Sequence, residues 1–156
     1  MSGKGELVSI NISPARGTEK RPVSEAVVDL RGIRGDAHAG EWHRQVSLLA
    51  YESIEAFGSE AGRSFAEGDF AENLTVRGLD LSGVRPGDRI AAGTALLEVT
   101  QIGKRCHGHG CAVFRRVGRC VMPREGIFCR VLRPGTIRVG DPVAIERREG
   151  AAAGAC

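Results

Sequence analysis

The chain has 156 residues, enough for one domain that buries roughly two-thirds of its unfolded surface, so bulk stability requires neither disulfides nor metal. Hydrophobic residues at 42% and charged residues at 26% exclude disorder, and no run of 18 apolar residues is present to span a bilayer as a helix. The formal charge of +3 is unevenly spread: residues 104–138 hold nine basic side chains against Glu125 alone, leaving the rest of the chain at −5.

Glycine, at 22 residues, is about twice its usual ~7% share and suits many tight turns between short strands. Val8, Ile10 and Ile12 alternate with Ser9, Asn11 and Ser13, the period of a half-buried strand. A second strand is predicted near Val23 to Ile33, ending at the turn-like Gly35-Asp36, and a short one over Gln45 to Leu49. Tyr51 to Phe57 reads as helix. Phe70 to Val76, Ala95 to Ile102, Ile127 to Leu132 and Ile137 to Ile145 complete the strand candidates, separated by Pro-Gly and Gly-Asp turns. The phrase Val84 to Ile90 is echoed by Ile137 to Val143, each reading as strand, Gly-Asp turn, strand. These elements predict a mostly β, barrel-like fold with one or two short helices. Residues 1–150 form a single domain in this reading, and the small-residue tail 151–156 is expected to be disordered.

Met1 to Ser9 lacks the apolar stretch of an export signal, and the five cysteines are odd in number, with four between Cys106 and Cys129. Both features predict a cytoplasmic protein whose thiols serve sulfur or metal chemistry. The strand ending at Ile102 runs into Gly103-Lys104-Arg105-Cys106-His107. Positive neighbours favour the thiolate, the form that attacks sulfur or binds metal, so Cys106 is the candidate catalytic group. A small cysteine that merely packs is the plainer alternative. Cys106, His107, His109, Cys111 and Cys120 also resemble a metal ligand set, but the spacing lacks paired CxxC knuckles, so zinc is weakly indicated. The basic run should draw an anion, although a solvated basic face would look the same. With only 4% aromatic residues, a base-stacking surface is poorly supported and no nucleic acid partner is expected.

Upstream, Asp36, His38, His43, Arg44 and Gln45 gather in and after one loop, either a plain Gly-Asp turn with His38 exposed beside it or a set of polar groups able to orient a ligand. Asn73 is disfavoured in a strand and hints at a hydrogen-bonding duty.

The order of these stretches resembles the MOSC domain, found at the C-terminus of molybdenum cofactor sulfurases and in small stand-alone bacterial proteins. The matching residues are Gly35-Asp36-x-His38, Arg44 to Leu49, Glu72-Asn73-Leu74-Thr75-Val76-x-Gly78, Val84-x-x-Gly87-Asp88, and Glu98 to Gln101 leading to Gly103-Lys104-x-Cys106. Cys120-Val121-Met122-Pro123-x-Glu125-Gly126-Ile127-Phe128 is similar to the short stand-alone branch. Ala71 departs from the glycine that many relatives carry before Glu-Asn-Leu. The resemblance implies a β-barrel-like fold that binds the molybdenum cofactor or carries sulfur destined for it. It implies that Cys106 bears a persulfide or ligates molybdenum. Asp36, His38, Arg44, Gln45, Asn73, Lys104, Arg105 and His107 would contact the cofactor, and Cys111 and Cys120 are further metal candidates. The partners implied are a sulfur donor such as a cysteine desulfurase and a molybdoenzyme; pyridoxal phosphate is not expected in this domain. Two alternatives are a small molybdenum-dependent oxidoreductase reducing N-hydroxylated substrates and a zinc-stabilised interaction domain.

Overall fold

The computed structural model describes residues 4–15, 20–103 and 125–146. In chain order the elements are β1 (Lys4–Ile12), β2 (Arg21–Val23), β3 (Glu25–Asp29), β4 (Gly32–Ile33), β5 (Val46–Ala50), α1 (Tyr51–Ala61), β6 (Leu74–Arg77), β7 (Arg89–Ala92), β8 (Ala95–Ile102), β9 (Ile127–Arg133), β10 (Gly135–Arg138) and β11 (Pro142–Glu146). Seven strands close into a barrel in the order β11-β7-β8-β9-β5-β6-β1, with β1 pairing back to β11. Closure removes the open edges that a flat sheet would expose. Strand β2 hangs on β1, and β10-β3-β4 form a separate small sheet. The fold is therefore mostly β and barrel-like, with one helix among the described residues. None of those residues forms a helix long and apolar enough to cross a membrane.

Every barrel pairing is antiparallel except β5–β6, where Leu48 lies beside Leu74. A parallel pair needs a crossover, and α1 supplies it. The barrel interior is filled by Leu7, Ile10, Leu48, Val76, Leu97, Val99 and their neighbours, all buried. A second cluster of Leu49, Ile54, Phe70 and Phe128 lies beneath α1, with Phe57 and Phe65 packed against it. The rings of Phe57, Phe65 and Phe70 pack with centroids 5.0–5.5 Å apart. Four of the chain's five phenylalanines thus sit on the helix side, outside the barrel lumen.

Several predicted strands are divided in the structure. The segment Val23 to Ile33 is not one strand: β3 turns at Leu30-Arg31 and pairs with the short β4. In β1 the register shifts between Leu7 and Ser9, so Leu7 and Ile10 both reach the core while Val8 does not. The supposedly outward Ser9 and Asn11 are also buried, because the Glu72-to-Thr75 stretch covers them. Ile137 to Ile145 is two strands in different sheets, joined by the Gly140-Asp141 turn. Its echo differs: Val84 is not in a strand, and only β7 follows the turn. Both turns use one device, an aspartate carboxylate accepting the N–H three residues back. Asp88 does so from Arg85 at 3.0 Å and Asp141 from Arg138 at 2.8 Å.

Phe70 to Asn73 is a turn that precedes β6, and Ala71 there has φ of 65°. It is the one non-glycine residue with positive φ among the described residues. A Cβ in that region costs about 1–2 kcal/mol, while glycine gives back about 0.4–1 kcal/mol through unfolded-state entropy. Ala71→Gly should accordingly raise stability by about 0.5–1 kcal/mol, read as a higher urea midpoint. A lower midpoint would show that the Ala71 methyl, packed against the helix-side cluster, outweighs its strain.

Candidate functional site

The site begins where β1 and β4 end. Asp36 closes the turn after β4, its N–H donating to Ile33 O at 3.1 Å. Its carboxylate gathers three donors: Lys20 Nζ at 2.7 Å, the His38 N–H at 3.0 Å and the Ser13 N–H at 3.1 Å. The side chains of Lys20 and Asp36 are both fully buried. Burial alone would push the Asp36 carboxyl up. The His38 ring 3.5 Å away, the hydrogen bond and charge of Lys20 and the Ser13 N–H outweigh it and hold the group well below the usual carboxylate range.

His38 packs outward from this pair. Its Nδ1 lies 3.0 Å from Lys20 Nζ, and its ring stacks almost parallel to Trp42, 8° between planes and 6.3 Å between centroids. Trp42 Nε1 donates back to His38 O at 2.7 Å. On the same indole lies Arg44, its guanidinium carbon 4.8 Å from the Trp42 centroid and 5.6 Å from that of Phe128. No carboxylate lies within ion-pair distance of Arg44 among the described residues. His43 reaches Thr100 on β8 (Nδ1 to Oγ1 3.1 Å), and the Thr100 hydroxyl donates to His43 O at 2.7 Å. Loop 36–45 is thereby tied to the end of the β8–β9 pair. That pair is closed by Gly103 N–H donating to Gly126 O at 2.7 Å. Gln101 pairs with Phe128 there, two residues before the described chain leaves at Gly103 to resume at Glu125.

Of the residues singled out in the sequence, Asp36, His38 and Arg44 are brought together around Lys20 and Trp42. Gln45 and Asn73 are nearby in the fold but fully engaged by the chain itself. Gln45 Nε2 donates to Leu30 O and Gly40 O at 3.0 and 2.8 Å, and its Oε1 accepts the Val131 N–H at 2.8 Å. Asn73, 0% exposed, accepts the Ser47 N–H at 3.0 Å and donates to Asn11 O at 3.1 Å. These two amides tie the loop and strands β1, β5 and β9 in place, a positioning duty. Lys104, Arg105, Cys106, His107, His109, Cys111, Cys120 and the tail 151–156 lie outside the described residues. Among the described residues no three His, Cys, Asp or Glu side chains converge on a metal position.

Cys129, the one cysteine described, is 0% exposed on β9. Burial pushes its thiol far up, and the charge of Glu98 adds to the effect, so it is neither accessible nor ionised. Three important residues escaped the sequence reading. Lys20 carried no signal, since a lysine after Gly17-Thr18-Glu19 looks like surface. Trp42, the single tryptophan, could have been found as an aromatic among His and Arg residues. Phe128 was visible in the stretch similar to the short stand-alone branch, but no signal there assigned it a role against Arg44.

A buried acid lies behind the site. Glu72 is 0% exposed; its Oε2 accepts the Gly68 N–H at 2.9 Å and the Thr75 hydroxyl at 2.8 Å, and its Oε1 has no hydrogen-bond partner among the described residues. Burial pushes its carboxyl up, and those hydrogen bonds only partly oppose the shift. The folded-state pKa therefore lies above the unfolded value. The stability that Glu72 contributes is full below the unfolded pKa, near 4.5, and is lost as pH rises toward the folded one. Glu72→Gln should flatten that fall by up to about 1.4 kcal/mol per pH unit. Urea midpoints at several pH values measure it, and an unchanged slope would show that Glu72 is ionised in the fold.

The sequence model of the MOSC domain matches residues 35–144. Among solved structures, the chain is similar to the YuaD protein of Bacillus subtilis, with a TM-score of 0.76, 19% identity and coverage of 96% of this chain and 99% of that one. It is similar also to YiiM from Geobacillus stearothermophilus, with a TM-score of 0.71, 26% identity and coverage of 92% and 76%. YiiM from Escherichia coli gives a TM-score of 0.70 at 21% identity, covering 92% and 70%. No curated protein matches the chain.

Proposed function

The chain belongs to the MOSC domain family, and from that premise we propose that it handles the molybdenum cofactor, or sulfur bound for it, through the thiol of Cys106. The observation that carries this reading is Arg44. Its guanidinium lies against the faces of Trp42 and Phe128 with no carboxylate partner among the described residues. A guanidinium held by aromatic faces, with no carboxylate beside it among the described residues, is suited to an external anion, and a pterin phosphate offers both negative charge and a planar ring. Asp36 and Lys20 fix the loop that presents His38 and Arg44. Lys104, Arg105 and His107 follow Gly103 directly in the sequence and would add positive charge for the same anion. When bound, the cofactor would supply a metal centre able to exchange electrons and to accept a sulfur ligand.

The residues of the chain would bind, orient and deliver. The Cys106 thiolate takes the terminal sulfur of a donor persulfide, such as that of a cysteine desulfurase. One S–S bond forms at Cys106 as the donor's S–S bond breaks, the donor thiolate leaves, and no net oxidation is needed. The neighbouring cations favour the attacking thiolate. A cytoplasmic setting, where free thiols persist, suits this chemistry. Purification under anaerobic, reducing conditions followed by metal, pterin and sulfane-sulfur analysis tests the proposal. Labile sulfane sulfur, or molybdenum together with pterin, is expected, and Arg44→Ala should lower pterin retention severalfold. Zinc at one per chain with neither sulfur nor pterin would favour a zinc-stabilised interaction domain.

A further inference from the structure

Lys20 limits what the His38 ring can do. The ammonium has donors only, and its Nζ lies 3.0 Å from His38 Nδ1, so that nitrogen must accept. A hydrogen on Nδ1 would point at an ammonium already within hydrogen-bond distance. Among the described residues the other acceptor near such a hydrogen is Asp36 Oδ2, but it is 3.5 Å away, long for a hydrogen bond. That oxygen already accepts the His38 N–H at 3.0 Å, and Oδ1 accepts Lys20 at 2.7 Å. Among the described residues, the charged groups against the ring are thus Lys20, from the segment before β2, and Asp36, from the turn after β4. Arg44 lies over the same Trp42 ring. The ring has little freedom to escape this arrangement. Its backbone is held through the Asp36 carboxylate, its carbonyl by Trp42 Nε1 at 2.7 Å, and its face by the indole. The His38 side chain is 25% exposed, so a ligand can reach it.

We infer that Lys20 is a positioning residue that locks His38 in the Nε2–H tautomer, making the imidazole a fixed hydrogen-bond donor to an acceptor atom of the ligand. Nδ1 is spent on Lys20 and Nε2 carries hydrogen, so the ring serves neither as metal ligand nor as proton acceptor in this state. The ligand feature it selects is an acceptor such as an oxyanion or carbonyl oxygen, the same sign of chemistry that Arg44 selects. The inference rests on the proposed site only for what is bound; the tautomer belongs to the chain alone.

Long-range 1H–15N imidazole correlations of the 15N-labelled protein near pH 8, with His38→Gln to assign the signals, read the tautomer directly. The wild type should show His38 as Nε2–H only. In Lys20→Met, the ammonium is gone and the carboxylate remains, so the ring should switch toward Nδ1–H. Lys20→Arg keeps a donor and should restore Nε2–H. An Nδ1–H ring in the wild type overturns the inference whether or not the variants fold, and so does a Lys20→Met protein with an unaltered tautomer. Either result leaves the cofactor proposal, tested by metal and pterin analysis, standing.

Discussion

Asp36→Ala is expected to lower folding stability by about 3–5 kcal/mol, because it leaves the Lys20 ammonium buried without its counter-charge. The two side chains are fully buried and 2.7 Å apart, so solvent cannot take over either role. The Ser13 and His38 N–H groups lose their acceptor in the same step. Lys20→Met should cost less than this, since a carboxylate with two backbone donors keeps part of its stabilisation. Replacing both, Lys20→Met with Asp36→Leu, should recover much of the loss, as apolar pairs often do in place of buried ion pairs. Urea unfolding of the two single variants and the double variant gives the coupling. Additive losses would show that the pair is not a unit. The pH dependence has a definite sign. The Asp36 carboxyl is depressed in the folded state, so its contribution is present above the unfolded pKa near 3.8 and is lost as pH falls below it. Asp36→Ala should therefore flatten the acid limb of the stability curve.

Sequence pattern reveals the barrel because most strands obey a simple period and end at glycine-bearing turns. β8 and β9 are found nearly to the residue. The helix begins at Tyr51 as expected and runs on to Ala61, where Gly62 in the left-handed region ends it. Less legible is whatever depends on partners distant in sequence. The bulge in β1 turns Ser9 and Asn11 inward only because Glu72, Asn73 and Thr75 are there to meet them. Gln45 and Asn73 show the same limit: an amide that ties strands together and an amide that faces a ligand look alike in sequence. Lys20 gains its importance from Asp36, sixteen residues away. Ala71 was visible as a departure from glycine, and the structure supplies the reason, a positive φ that favours glycine.

The second large effect concerns sulfur and metal. Cys106→Ser should reduce sulfane-sulfur loading and molybdenum retention to background while leaving the urea midpoint within about 1 kcal/mol of the wild type. Only the nucleophile is removed in that variant, since serine differs from cysteine by a single side-chain atom. Cys129 cannot substitute, because it is sealed on β9 with its thiol pushed up by burial. Cys156→Ser should alter neither quantity.

The most direct measurement is site-resolved mass spectrometry of the wild-type protein, after a brief alkylation at mildly acidic pH and, separately, after exposure to a persulfide donor. Reactivity follows thiolate fraction and access. Cys106 should be modified first and carry the added sulfur, with Cys156 slower and Cys129 last. Sulfur loading that persists in full after Cys106→Ser, or a Cys106 that alkylates no faster than Cys129, would contradict the account.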